Sequence, residues 1–133
     1  MTDEAPPDGS YLASHFHDPH RRRDVRRVFY EDGRVEAFDG SEWWPVCTFS
    51  PEQVERAQEA IRRSGLLGAS DIPAGGVYDV AQVTYSWRLD GAAGSVTNWA
   101  YPARAHPVFD ALDAELDALE TEAGAEWSRH QRF

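Results

Sequence analysis

The stretch Ala81-Gln82-Val83-Thr84-Tyr85-Ser86-Trp87-Arg88-Leu89 decides the fold. Successive side chains of a strand alternate sides, so Ala81, Val83, Tyr85, Trp87 and Leu89 share one face. Gln82, Thr84, Ser86 and Arg88 share the other. Nine residues of unbroken alternation describe a strand in an antiparallel sheet with one packed and one solvated face. The rest of the chain must supply what covers the apolar face.

On the C-terminal side, Asp90-Gly91-Ala92-Ala93-Gly94 turns the chain back into a strand over residues 95–101. Reading those five residues as the loop sets Trp99 opposite Tyr85 and Tyr101 opposite Val83, which keeps the large rings on the core face. Pro107 then opens a helix in which Phe109, Leu112, Leu116 and Leu119 form one apolar stripe, and Gly124 ends it. On the N-terminal side, a helix begins at Pro51. Ser50 is its N-cap, Gln53 closes a capping box, and Phe49 and Val54 stand where a hydrophobic staple is made. Val54, Ala57 and Ile61 form its buried stripe, and Gly65 terminates it. Glu52–Arg56 and Glu59–Arg63 have the favourable i,i+4 order. Gly75-Gly76 in the following loop precedes a strand and lacks a Lys-Ser/Thr, so it is no phosphate loop.

Earlier still, Arg26 to Phe38 reads as a hairpin around Asp32-Gly33, a two-residue turn signal. That turn sets Tyr30 opposite Val35 and Val28 opposite Ala37, all four facing the core. Phe29, Phe38, Arg27 and Glu36 then face outward, and Glu31 stands opposite Arg34. Trp43 and Trp44 are adjacent, so one of them lies at a rim. The order strand-strand-helix, strand-strand-helix describes an α+β domain: a four-stranded antiparallel sheet with two helices on one face. The expected organisation is a flexible N-terminal tail over residues 1–22, a single domain over 23–123, and a C-terminal tail over 124–133 carrying Trp127 and Phe133.

Composition sets further bounds. The chain has 133 residues, 41% of them hydrophobic, with five Trp, five Tyr and six Phe, enough to build one packed domain. Cys47 is the only cysteine, so no internal disulfide forms, which fits a reducing, cytoplasmic setting. A buried inert thiol is the ordinary reading of such a residue. The N-terminus lacks a basic start and an apolar run, so no signal peptide is expected. No stretch is long and apolar enough to imply a membrane span. A net charge of −10 argues against nucleic-acid binding. The charge is uneven, with Arg21, Arg22, Arg23, Arg26 and Arg27 near the start and an acidic run from Asp110 to Glu122 near the end. The basic run is expected to pair with the acidic helix or to be solvated, with an anionic ligand as the alternative.

In element order, this chain resembles the emfourin family of small cystatin-like metalloprotease inhibitors. The resemblance spans roughly residues 25–120 and rests on four features. These are the turn-containing first hairpin, the capped helix ending in Ser64-Gly65-Leu66-Leu67, Tyr78-Asp79 leading into a long alternating strand, and the proline-led last helix. It implies a cystatin-like sheet-and-helix fold and an inhibitory role. The hairpin tip Glu31-Asp32-Gly33-Arg34 and the segment Trp43-Trp44-Pro45 lie outside it, and it assigns no inhibitory residue.

The sequence contains no nucleophile–base or closed metal-ligand pattern. His15, His17 and His20 are candidate zinc ligands by residue type, but their spacing matches no closed site, so neither a metal nor another cofactor is expected. The leading functional reading is a non-catalytic protein-binding module, in its sharpest form an inhibitor or immunity-type partner. It would bind another protein or a second copy of itself through Phe29, Phe38, Trp43 and Trp44. The alternative is a small-molecule-binding or catalytic domain with a pocket between sheet and helices, lined by Tyr85, Trp87, Trp99, Arg104 and His106.

Overall fold

The computed structural model describes residues 6–76 and 80–125. Its elements run β1 (Ser10–Asp18), β2 (Arg23–Tyr30), β3 (Arg34–Phe38), β4 (Trp43–Thr48), α1 (Pro51–Ser64), a short 3-10 turn (Leu66–Gly68), β5 (Ala81–Leu89), β6 (Ala92–Tyr101) and α2 (Pro107–Glu122). The protein is α+β with an antiparallel sheet and two helices, but the sheet has six strands rather than four, in the order β4-β3-β2-β1-β5-β6. Two strands were not anticipated from the sequence. Trp43–Thr48 adds an edge, and Ser10–Asp18, expected to be a flexible tail, lies in the middle.

Strand β1 pairs antiparallel on both sides, which places Leu12 between Phe29 and Trp87, and Phe16 between Val25 and Val83. A bulge between Ser10 and Leu12 lets Tyr11 and Leu12 both bury completely. The ring of Tyr11 sits 6.3 Å from that of Phe29. A tail so paired is the centre of the sheet.

The register of the β2–β3 hairpin differs from the expected one by a single residue. Phe29, not Tyr30, stands opposite Val35, and Arg27, not Val28, stands opposite Ala37. Of the loop residues only Gly33 has positive φ (+102°), so Glu31-Asp32-Gly33 is a three-residue loop rather than a type I′ turn. Gly33 is held from outside the hairpin, because Phe49 N–H donates to its carbonyl at 2.7 Å. A Cβ on Gly33 would run into the Phe49 carbonyl. A one-residue slip turns every side chain of a strand to the other face. Phe29 and Arg27 therefore point toward the helices. At β5–β6 the opposite occurs: Asp90 (φ 55°) and Gly91 (φ 80°) make the two-residue type I′ turn. That sets Val96 opposite Tyr85 and Asn98 opposite Val83, in place of Trp99 and Tyr101.

The helices follow their signals. Ser50 and Gln53 complete the capping box, and Gly65 closes α1 in the left-handed conformation. Val54, Ala57, Ala60 and Ile61 of α1 and Phe109, Leu112, Leu116 and Leu119 of α2 join one core with Phe29, Tyr85 and Trp87. Arg56–Glu122 (2.8 Å) and Arg63–Glu115 (2.9 Å) tie the two helices side by side over that face. Beneath α2, Arg27 enters the core, its side chain only 7% exposed, and reaches Glu120 at 3.0 Å, Asp117 at 3.5 Å and Asp113 at 3.6 Å. Asp113 also accepts the Tyr85 hydroxyl hydrogen bond. One residue of the basic run thus does pair with the acidic helix, from inside the domain.

Both sheet edges are protected. Ile72 bridges β6 through its N–H to Thr97 O (3.0 Å) and its carbonyl to Trp99 N–H (2.8 Å). The β4 edge carries Pro45, which cannot donate to an added strand. No helix among the described residues is long and apolar enough to cross a membrane.

Candidate functional site

With both helices on one face, the other face of the sheet is free of helix among the described residues, and the registers say what lies on it. His15 stands between Arg26 and Thr84, His17 between Asp24 and Gln82, and Ala13 between Val28 and Ser86. Phe38 follows beyond Arg26, then Trp43 beyond Phe38. Thr97 lies opposite Thr84, their hydroxyls 2.8 Å apart. The open face is therefore polar over β1, β5 and β6 and turns apolar at the β3–β4 edge.

Two adjoining hollows mark this face. One, of about 280 Å³, is lined by His15, His17, Asp24, Arg26, Gln82, Thr84, Ser95, Thr97 and Trp99. The other, of about 210 Å³, shares His15 and Arg26 and adds Pro7, Ala13, Ser14, Val28, Trp43 and Ser86. Between them lies a tight polar cluster. His15 Nε2 sits 2.8 Å from Asp24 Oδ1, to which Arg26 Nε also donates at 3.3 Å. The His17 ring tilts against that of His15 with centroids 6.1 Å apart. Partial burial alone would raise the Asp24 carboxyl. The Arg26 hydrogen bond and the charges of His15 and Arg26 outweigh it and hold the group below the usual carboxylate range.

The four aromatics expected to form one binding patch divide between the two faces. Trp43 is 49% exposed on the open face, its ring 5.3 Å from that of half-buried Phe38. Phe29 is fully buried against Tyr11 and Phe49, because the register slip turned it inward. Trp44 stands opposite Ala37 on the helix side and packs against the core.

The space proposed for a pocket between sheet and helices is occupied by its own lining. Tyr85 and Trp87 are core residues, Tyr85 lying edge-on to Phe109 at 4.7 Å. Trp99 belongs to the open face. Arg104 holds the loop before β5, donating to the carbonyls of Pro73 (3.0 Å) and Ala74 (3.2 Å). His106 is buried, its Nε2 3.0 Å from the Ser70 carbonyl and its ring stacked on Phe109 at 4.3 Å. Both fasten the loop to the start of α2.

His15, His17 and Asp24 are the grouping that sequence reasoning missed. The His-x-His spacing was visible, but the third member sits across a hairpin whose existence depends on β1 being a strand. Cys47, half-buried on the helix side, has its thiol pushed up to about 12, by burial first and then by the Glu120 charge, against the opposing pull of Arg27. A thiol so held is almost wholly protonated at neutral pH, and the thiolate is the reactive form. Trp127 and Phe133, the tail beyond Ala125, and Tyr78-Asp79 lie outside the described residues. Neither a protein-family model nor a curated protein matches the chain.

Proposed function

We propose that the chain is a non-catalytic protein-binding module that meets its partner through the open face of its sheet, with Trp43 and Phe38 as the apolar centre. The observation that carries this reading is a tryptophan 49% exposed and packed ring against ring on Phe38, on a face that neither helix covers. Large exposed aromatics beside charged neighbours are typical anchors of protein interfaces, and Arg26, Glu36, Asp39 and Glu42 supply the charges here. The net charge of −10 favours a basic partner over a second copy of the chain, which it would repel. An inhibitor or immunity-type role is the sharpest form of the proposal. It rests on the sequence resemblance alone, since the two added strands depart from the element order that carried it.

The test is a comparison of the wild type with the double variant Phe38→Ser, Trp43→Ser. Each is used as bait in native lysate, with captured proteins quantified by mass spectrometry. A stoichiometric partner held by the wild type and lost by the variant, at matched melting temperature, is the expected result. Retention of that partner by the variant, or no stoichiometric partner for the wild type, would remove the proposal.

A further inference from the structure

His15 and His17 stand two apart on β1 and so project from the same side of the strand, the side away from α1 and α2. Asp24 enters from β2, where it is the backbone partner of His17, and its Oδ1 already lies 2.8 Å from His15 Nε2. One donor atom from each of the three can be chosen so that all lie within 4.8 Å of one another. Ligands at ~2.0–2.1 Å around a tetrahedral zinc ion are roughly 3.3 Å apart. Small side-chain rotations on rigid strands close that difference, and all three residues are half-buried, leaving room for the motion.

We propose that His15, His17 and Asp24 bind one divalent transition-metal ion, zinc being the expected occupant, with a coordination position left open toward the hollow that holds Thr84, Thr97 and Trp99. Two imidazoles and one carboxylate suit zinc and its first-row neighbours, whereas magnesium and calcium require oxygen ligands. Three protein ligands rather than four are the arrangement that keeps a position for water or a bound molecule. Arg26, sharing Asp24, places a second positive charge at the margin of the site. It weakens the hold on the cation and favours an anion in the open position. The site uses residues other than Phe38 and Trp43, so it does not depend on the protein-binding proposal.

Calorimetric titration of the tag-free chain with zinc chloride is expected to give one ion per chain. His17→Ala and Asp24→Asn should each weaken binding by at least ~10–100-fold, the range that loss of even an outer-shell partner costs a metal site. His20→Ala, in the turn after β1, should leave the affinity unchanged. Circular dichroism checks that each variant remains folded, and Asp24→Asn preserves side-chain shape if His17→Ala does not fold. Cobalt(II) in place of zinc reads the open position, since azide entering it changes the visible absorption bands. Absence of zinc uptake, or uptake indifferent to both His17→Ala and Asp24→Asn, would overturn the site. A cobalt spectrum insensitive to azide would overturn the open position.

Discussion

Replacing Arg27 by Met tests the least expected feature of the core. Methionine retains most of the apolar stem and removes the guanidinium. Three carboxylates lose that cation, but not equally. Asp113 and Asp117 are 32% and 40% exposed, so water still reaches them, and each pairing is worth at most ~1 kcal/mol. Glu120 is 0% exposed and bonded at 3.0 Å, so it bears the main loss. A buried charge deprived of its partner costs about 3–5 kcal/mol, a large share of the ~5–15 kcal/mol available to a domain. The expected fall in melting temperature at pH 7 is roughly 10–20 °C by calorimetry. Two further outcomes separate charge from packing. In the variant, Glu120 is destabilising only while ionised, because apolar surroundings raise its folded-state pKa above the unfolded value. The deficit against wild type should therefore be full only above that raised value and shrink as pH falls from it toward the ordinary carboxylate range. The double variant Arg27→Met, Glu120→Leu removes both charges and should recover most of the loss. A single-variant loss under ~1 kcal/mol, or a double variant worse than the single, would refute the reasoning.

Trp87, 6% exposed on the core face of β5, should cost ~3–5 kcal/mol when changed to Ala, whereas Gln82→Ala on the open face should stay within ~0.5 kcal/mol in urea unfolding; equal shifts would mean the faces are misassigned. With its thiol held up to about 12, Cys47 should be ionised in only about one molecule in ten thousand at pH 8. Iodoacetamide labelling of the native protein should therefore be slow and keep rising with pH past 9, where an ordinary thiol levels off. A folded-state pKa raised in this way contributes stability that is present below the ordinary thiol range and is lost as pH climbs toward the folded value. Labelling that reaches its plateau near pH 9 in the native state would contradict the burial argument.

What was legible in the sequence is what local chemistry decides. The capping box at Ser50 and Gln53, the left-handed Gly65 and the stripe from Phe109 to Leu119 each depend on residues within a few positions, and each is present. The faces of residues 81–89 were legible for the same reason. Pairing was not. Of the four Asp-Gly dipeptides, those at 32–33 and 90–91 both join paired strands, and nothing in either pair announces that the first makes a three-residue loop and the second a type I′ turn. What separates them is distant: the Phe49 N–H that holds the Gly33 carbonyl. Strand β1 was illegible because the turn residues before Ser10 and after Asp18 read as a tail. Its partners on one side also lie some seventy residues away.

One register choice produced both the buried network and the candidate site. Had Asp32-Gly33 made the two-residue turn read from the sequence, Val28 and Tyr30 would be inside, and Asp24 and Arg26 would point at the helices with them. The observed facing puts Phe29 and Val25 inside instead, at the cost of burying Arg27 between them. That cost is met by Glu120, Asp117 and Asp113, spaced along α2 so that all three reach one guanidinium. The acidic run of α2 thus complements the register that places Arg27 beneath it. The same register turns Asp24 outward beside His15 and His17. The basic run and the acidic helix, read from the sequence as paired or solvated, meet at Arg27, and the facing that buries Arg27 leaves Asp24 beside the two histidines.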